Sequence, residues 1–332
     1  MDPLTHTATG LFLSRAGLKH WSPLATPILI LAANAPDIDI VTSLGGSLNY
    51  LHYHRHLTHA LAAMPLMALL PVVLVRAVVR KAVRWWGAFA AALIAVAIHL
   101  LLDLTNVYGI RLLLPFSAQW LHLDLTGVID LWIWGVSLLA VAGPFVGRLV
   151  GSEISSGAAR ERHPGRGFAI FALLFLLLYN CGRGVLHARA VAVLDSRLYQ
   201  DSMPLRVLAA PNPANPMRWR GLVETGDFYA VEDVNLAGDF DPGRATIFHK
   251  PEPDPALQAA GRTPEFQEFL RFSLFPLWRL SPVAQPENAR LVEVLDMRFG
   301  TPLAPGFMVS ALVSANLQVL QTWFQWGTLR PR

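Results

Sequence analysis

Three short clusters hold the residues best suited to chemistry. The first is Pro36-Asp37-Ile38-Asp39, in which two carboxylates two residues apart in a non-helical turn can point to one centre. A helix stop with aspartate as a cap is the competing reading, because Asp is a frequent turn residue. The second is His52-Tyr53-His54-Arg55-His56-Leu57-Thr58-His59, with four histidines in eight residues. Imidazole is the commonest metal ligand and binds in its neutral form. In a helical turn His56 and His59 share a face, whereas His54 and His59 converge only across a bend; a solvated polar flank is the alternative. The third is His99-Leu-Leu-Leu-Asp103, whose i, i+4 spacing sets both side chains on one helix face, one turn apart. That pair is either a pair of ligands or a hydrogen-bonded pair within an apolar helix. His6 joins these groups if the N-terminal helix folds back.

Oxygen and nitrogen donors of this kind suit zinc, manganese or iron better than copper(I). A metal with an open coordination position lowers the pKa of bound water and so allows hydrolysis at neutral pH. The sequence carries no GxSxG, Walker A or GxGxxG motif to compete with this assignment.

The elements that must position these clusters are apolar. Residues 61–79, 85–102, 128–146 and 168–181 form four runs of membrane-crossing character, the last short enough to need bilayer thinning or snorkelling by Arg166 and Arg183. Residues 23–33 are too few to cross and end in Asn-Ala-Pro-Asp, which fits a re-entrant or interfacial segment better than a cleaved signal peptide. Arg76, Arg80, Lys81 and Arg84 lie in the first loop, and Arg148, Arg160, Arg162 and Arg166 outweigh Glu153 and Glu161 in another. Short basic loops stay in the cytoplasm. Residues 34–60, 103–127 and everything after 181 are therefore expected on the opposite, periplasmic or exterior side, which gathers all three clusters at one membrane surface.

Composition agrees with this division. Of 332 residues 53% are hydrophobic and 15% charged, against about 25% charged in a typical soluble chain. The single cysteine excludes a disulfide scaffold or a multi-cysteine metal site. The net charge of +4 lies wholly in residues 1–180, which hold nine of the eleven histidines; residues 181–332 are neutral. The pI near 9.5 thus reads as a membrane-orientation signal, with no nucleic-acid partner expected. Only six acids precede residue 147, and four stand beside apolar segments, where an ionised carboxylate is costly unless it is paired or bound to metal.

As a set, in order over residues 1 to about 135, Thr5-His6-x-x-x-Gly10, Pro36-Asp37-x-Asp39, His54-Arg55-x-x-Thr58-His59, and His99-x-x-x-Asp103 followed by Tyr108-Gly109 and Leu114-Pro115-Phe116-Ser117, with the later Ile129-Asp130, resemble the YdjM-type membrane-bound metal-dependent hydrolases. The resemblance implies an inner-membrane hydrolase. Its remote relation to zinc-dependent phospholipases C implies a phosphoester or lipid-derived substrate. One departure is His56, where that family usually has glycine; it is an extra ligand, a proton shuttle or a neutral surface substitution. Arg55 either holds a substrate anion bidentately or pairs with Asp37 or Asp39.

The expected ligands are thus His6, His54, His59, His99 and Asp103, with Asp37 and Asp39 as ligands or general base, and Arg55 and His56 serving the substrate. The expected architecture is an α-helical membrane domain, residues 1–185, of about four spans plus the re-entrant segment, followed by a soluble mixed α/β domain, residues 186–332. In the latter, residues 217–223, 227–236, 245–249 and 291–299 read as strands and 263–272 as a helix, while 307–326 reads as either. Three functions compete: a zinc-type hydrolase in the bilayer, a non-catalytic metal-stabilised scaffold or sensor with an exported binding domain, and a transporter. Oligomeric state is not legible in the sequence.

Overall fold

The computed structural model describes residues 1–154 and 165–326. Contacts divide the chain into two units, one of Met1–Val41, Arg55–His187 and Pro211–Pro216, the other of Thr42–His54, Ala188–Ala210 and Met217 onward.

The first unit is helical. Helix α1 (Pro3–Ala16) begins where the Asp2 carboxylate caps the backbone N–H groups of Leu4 and Thr5. Helix α2 (Ala25–Ala32) is bent by 48° from a 3-10 segment (Ala35–Gly45), which enters the second unit at Thr42. The second unit then takes α3 (Ser47–Tyr53). The first resumes with α4 (Met64–Val79), α5 (Trp85–Leu104), α6 (Leu131–Ile154) and most of α7 (Arg166–Asp195).

Among the described residues three segments are long and apolar enough to cross a membrane, Leu61–Val79, Trp85–Leu104 and Arg166–Asp195, and the bent pair at α2 makes a fourth if it crosses as one. The sequence-predicted fourth span differs most from expectation. Its helix runs 30 residues, about 45 Å at 1.5 Å per residue, so it needs no local thinning of the bilayer. The predicted third span begins later than expected, at Leu131, because Asp130 caps α6 by accepting from the N–H groups of Trp132 and Ile133; its apolar stretch is the shorter Leu131–Gly147. Of the second basic loop, Arg160, Glu161 and Arg162 lie outside the described residues, as do the side chains of Arg148 and Glu153.

Packing explains the placement of chemistry. On α5, Ala88, Ala91, Ala92, Ala95 and Val96 recur at helical spacing and are buried against Ile28, Leu29 and Ala32 of α2 and Ala68 and Val72 of α4. Small residues let these backbones approach closely. His99 and Asp103 prolong the same stripe, so the face that packs inward also carries the polar pair inward. Helix α1 crosses α2 at Gly10, where a Cβ would sit 2.7 Å from the Leu29 carbonyl oxygen and 2.9 Å from Cα of Ile30. His6 stands one turn before Gly10 on that face.

In the second unit two four-stranded sheets follow α7. One has the order β1 (Arg206–Pro211), β2 (Arg218–Glu224), β3 (Phe228–Asn235), β4 (Thr246–His249). The other runs β5 (Pro276–Pro282), β6 (Arg290–Asp296), β7 (Phe307–Val313), β8 (Val319–Trp326), with α8 (Pro255–Gly261) and α9 (Pro264–Phe272) between the sheets in sequence. Residues 307–326 resolve the open alternative as a hairpin, because Ser314 and Gln318 exchange hydrogen bonds across a turn.

Gly10→Val forces α1 off α2, and overpacking of this kind costs about 1–3 kcal/mol. Chemical denaturation of the purified chain in detergent is expected to show a loss of that size; an unchanged midpoint would mean that the crossing tolerates a side chain.

Candidate metal centre

Four side chains from three segments bring one ligand atom each to a common point: Asp37, His59, His99 and Asp103, with all four atoms within 4.8 Å of one another. The Nε2 atoms of His59 and His99 are 3.2 Å apart. Asp103 Oδ2 lies 3.2 Å from the first and 3.4 Å from the second. Asp37 Oδ1 lies 3.5 and 3.7 Å from the same two nitrogens. Ligands about 2.0–2.1 Å from a tetrahedral ion are about 3.3–3.4 Å apart, and these five separations, 3.2–3.7 Å, bracket that spacing.

The tautomers favour a cation there. His99 Nδ1 is 2.7 Å from the carbonyl oxygen of Ala33, which can only accept, and this assigns the proton to Nδ1. His59 Nδ1 faces Asp39 Oδ2 at 3.2 Å, which places its proton on the same ring position. In these neutral tautomers both Nε2 lone pairs point at Asp103 Oδ2, a buried oxygen without a hydrogen-bond donor. Lone pairs of three buried atoms facing one another repel; a divalent cation between them turns the arrangement attractive. The residues present therefore fit a divalent cation.

A second layer holds this geometry. Asp39 Oδ2 accepts from the backbone N–H of Arg55 at 2.8 Å and from the Thr58 hydroxyl at 2.9 Å, besides facing His59. It thus orients His59 as an outer carboxylate orients a histidine at a metal site. Arg55 has φ of +55°, a left-handed turn of the backbone between His54 and the candidate ligand His59. Its guanidinium is buried, donating to Asp103 Oδ1 at 3.2 Å, Asn106 Oδ1 at 3.1 Å and the Gly109 carbonyl at 3.3 Å, and lies over the Tyr108 ring.

His6 approaches the other oxygen of Asp103, with Nε2 3.4 Å from Oδ1, and its ring stacks on His99 with centroids 3.8 Å apart. The Met1 amino group also meets Asp103 Oδ1. Burial first, and then the neighbouring His99, amino terminus and Arg55, hold the His6 imidazole well below its ordinary pKa, so it is neutral at pH 7.

The remaining sequence-predicted residues are placed elsewhere. His54 ends α3, where its ring stacks on Tyr50 with centroids 4.4 Å apart. His56 is half-buried at the start of the 3-10 turn Leu57–His59 and is outside the four-atom group. His52 is 2.9 Å from Glu268. Asp130, in addition to capping α6, accepts from the Tyr179 hydroxyl.

Sequence reasoning missed Ala33, which matters only through its carbonyl and so leaves no side-chain signal. It also missed Asn106, whose Oδ1 accepts from Arg55, Tyr108 N–H and Gly109 N–H. An Asn just past a helix end and before Tyr-Gly is a turn signature that marks it.

Comparisons with known proteins identify the family of the chain. The sequence profile of a family described as YdjM inner membrane protein matches residues 1–190, a stretch that contains every residue of the centre. A Bacillus subtilis (strain 168) protein described as "Uncharacterized protein YfhP" is 24% identical over 346 residues, covering 98% of this chain and 95% of the relative. No solved structure matches.

His59→Ala and Asp103→Asn are each expected to abolish stoichiometric metal, measured by elemental analysis of the purified protein. Asp39→Asn should keep the fold but weaken binding about 10–100-fold, the usual effect of losing an outer-shell partner, measured by competition with a chromophoric chelator. Unaltered affinity in the Asp39 variant would remove it from the second layer.

Proposed function

The chain belongs to the YdjM inner membrane protein family, and from that premise we propose that it is a membrane-bound metal-dependent hydrolase acting on a phosphoester or lipid-derived substrate. The observation that carries the reading is the unequal exposure of the four ligand atoms. His59, His99 and Asp103 are fully buried, whereas the Asp37 side chain is 20% exposed. Catalytic zinc sites commonly use three protein ligands and keep a fourth position for water. The buried three make such a set, and Asp37 is the partly exposed member of the four.

His59, His99 and Asp103 would hold a divalent ion there, which would supply Lewis acidity and lower the pKa of a bound water to about 7. Asp37 acts as the general base, taking the proton of the attacking water at Oδ1. His59 and His99 donate nitrogen lone pairs inward, their outward protons fixed by Asp39 and by the Ala33 carbonyl. Arg55 orients Asp103 and balances its charge. His6, neutral and stacked on His99, keeps water from the far side of Asp103 and supports the orientation of both.

The basic first loop supports a cytoplasmic position for Arg76–Arg84, and with it an exoplasmic metal centre and C-terminal domain in a bacterial-type inner membrane. Zinc is the ion the nitrogen-oxygen donor set fits best.

Four closely set ligands also suit a closed structural site, which is the scaffold reading. Turnover separates the two. Purified protein is expected to hydrolyse phosphodiesters in a chelator-sensitive manner, with Asp37→Asn keeping metal while kcat falls about 10²–10⁴-fold, the span typical of a lost general base. Metal-dependent melting without turnover on phosphodiesters or phospholipids would favour the scaffold.

A further inference from the structure

Beside the metal centre lies an apolar cavity that the proposed chemistry does not use. Leu61, Ala62, Leu112, Leu113, Phe116 and Ser117 line a space of about 420 Å³, within the size range of small-molecule sites. Its walls are tied to the metal site through the backbone. Leu61 N–H donates to the Leu112 carbonyl at 3.0 Å, and Arg111 N–H donates to the Arg55 carbonyl at 3.3 Å, so the segment carrying Arg55 and His59 is joined to the segment that forms the far wall. Leu61 is two residues beyond the ligand His59, a reach of at most about 7 Å. It also opens Leu61–Val79, a stretch long and apolar enough to cross a membrane, so the cavity lies at one end of that candidate span.

The lining holds one hydroxyl, from Ser117, and no charge. Ile38, Ile40 and Leu57, which alternate with or adjoin the site residues Asp37, Asp39 and Thr58, are exposed as well. A water-soluble anion needs none of this. An amphiphile needs both halves: a centre for its headgroup and a nearby apolar space for its chain.

We propose that the cavity takes one acyl chain of a membrane lipid whose phosphate headgroup lies at the metal centre. This deepens the hydrolase reading and rests on it for the fate of the headgroup, though not for occupancy of the cavity. Each buried methylene is worth roughly fourfold in affinity, so chain length would be selected by the depth of the cavity.

The test uses the full chain in nanodiscs that contain a trace of phosphatidic acid with a diazirine at the end of one acyl chain. After illumination, labelled peptides are mapped by mass spectrometry. Labelling is expected to concentrate on residues 112–117 over Leu66 and Val73 of α4, which are exposed and do not line the cavity. Ala62→Trp fills the space and should lower labelling of 112–117 about sixteenfold, the loss expected when two methylenes are excluded. Leu113→Asn, a milder change at a half-exposed wall, should lower it in the same direction, and both variants should keep wild-type metal content as evidence of an intact fold. Labelling of 112–117 no stronger than that of α4, or unaffected by both variants, overturns the proposal. Chelator-sensitive hydrolysis of a short, water-soluble phosphodiester on the same samples separates the two readings. Labelling kept without turnover leaves the lipid site standing and removes the hydrolase; turnover kept without labelling removes the acyl chain alone.

Discussion

The rest of the centre depends on one carboxylate, that of Asp103, buried without solvent access at the end of an apolar helix. An isolated charge in such surroundings is not tolerated, and removing one partner of a buried pair typically costs about 3–5 kcal/mol. The two oxygens of Asp103 meet different neighbours. Oδ1 faces cationic and donor groups, Arg55 among them, whereas Oδ2 faces two imidazole nitrogens whose protons are on the opposite side of their rings. The first half balances the charge and the second calls for a cation. Much of the surrounding fold serves that arrangement: the alanine stripe of α5 turns Asp103 inward, Gly10 lets α1 lay His6 against His99, and Asp39 holds Arg55, Thr58 and His59 together with a single oxygen.

The chemistry was legible in the sequence where spacing and secondary structure act together. The i, i+4 interval of His99 and Asp103 within an apolar run needs only a helix to put both on one face. The pair Asp37 and Asp39 was legible as a pair but not as two roles. In a tight 3-10 segment adjacent turns send one carboxylate to the four-atom group and the other to the back of His59, a division set by the bend after α2. The histidine run was harder still. Composition gives His52, His54, His56 and His59 equal standing, and the left-handed backbone at Arg55, which sequence does not announce in an arginine, decides which of them reaches the centre.

The soluble half was legible as strands and turns but not as two sheets. Strands β2, β3 and β6 announce themselves by apolar and aromatic content between turn residues, whereas β1 is hidden at the edge of a proline-rich stretch and β5 begins and ends with proline. The segment Thr42–His54 is the least foreseeable feature. It lies between site residues in sequence yet belongs with the sheets, because α3 packs on α9 and His52 meets Glu268. Contacts that distant in sequence leave no local pattern. The family similarity, by contrast, ends at residue 190, close to where α7 leaves the helical unit.

X-ray absorption spectroscopy of the purified, metal-loaded chain, paired with an anomalous difference map at the same edge, tests the central claim most directly. The account predicts one metal per chain with two imidazoles among nitrogen and oxygen ligands at about 2.0–2.1 Å, and an anomalous peak between His59, His99 and Asp103. A protein that purifies and folds without metal, or a peak beside His52 and His54 in place of His59 and His99, would contradict it.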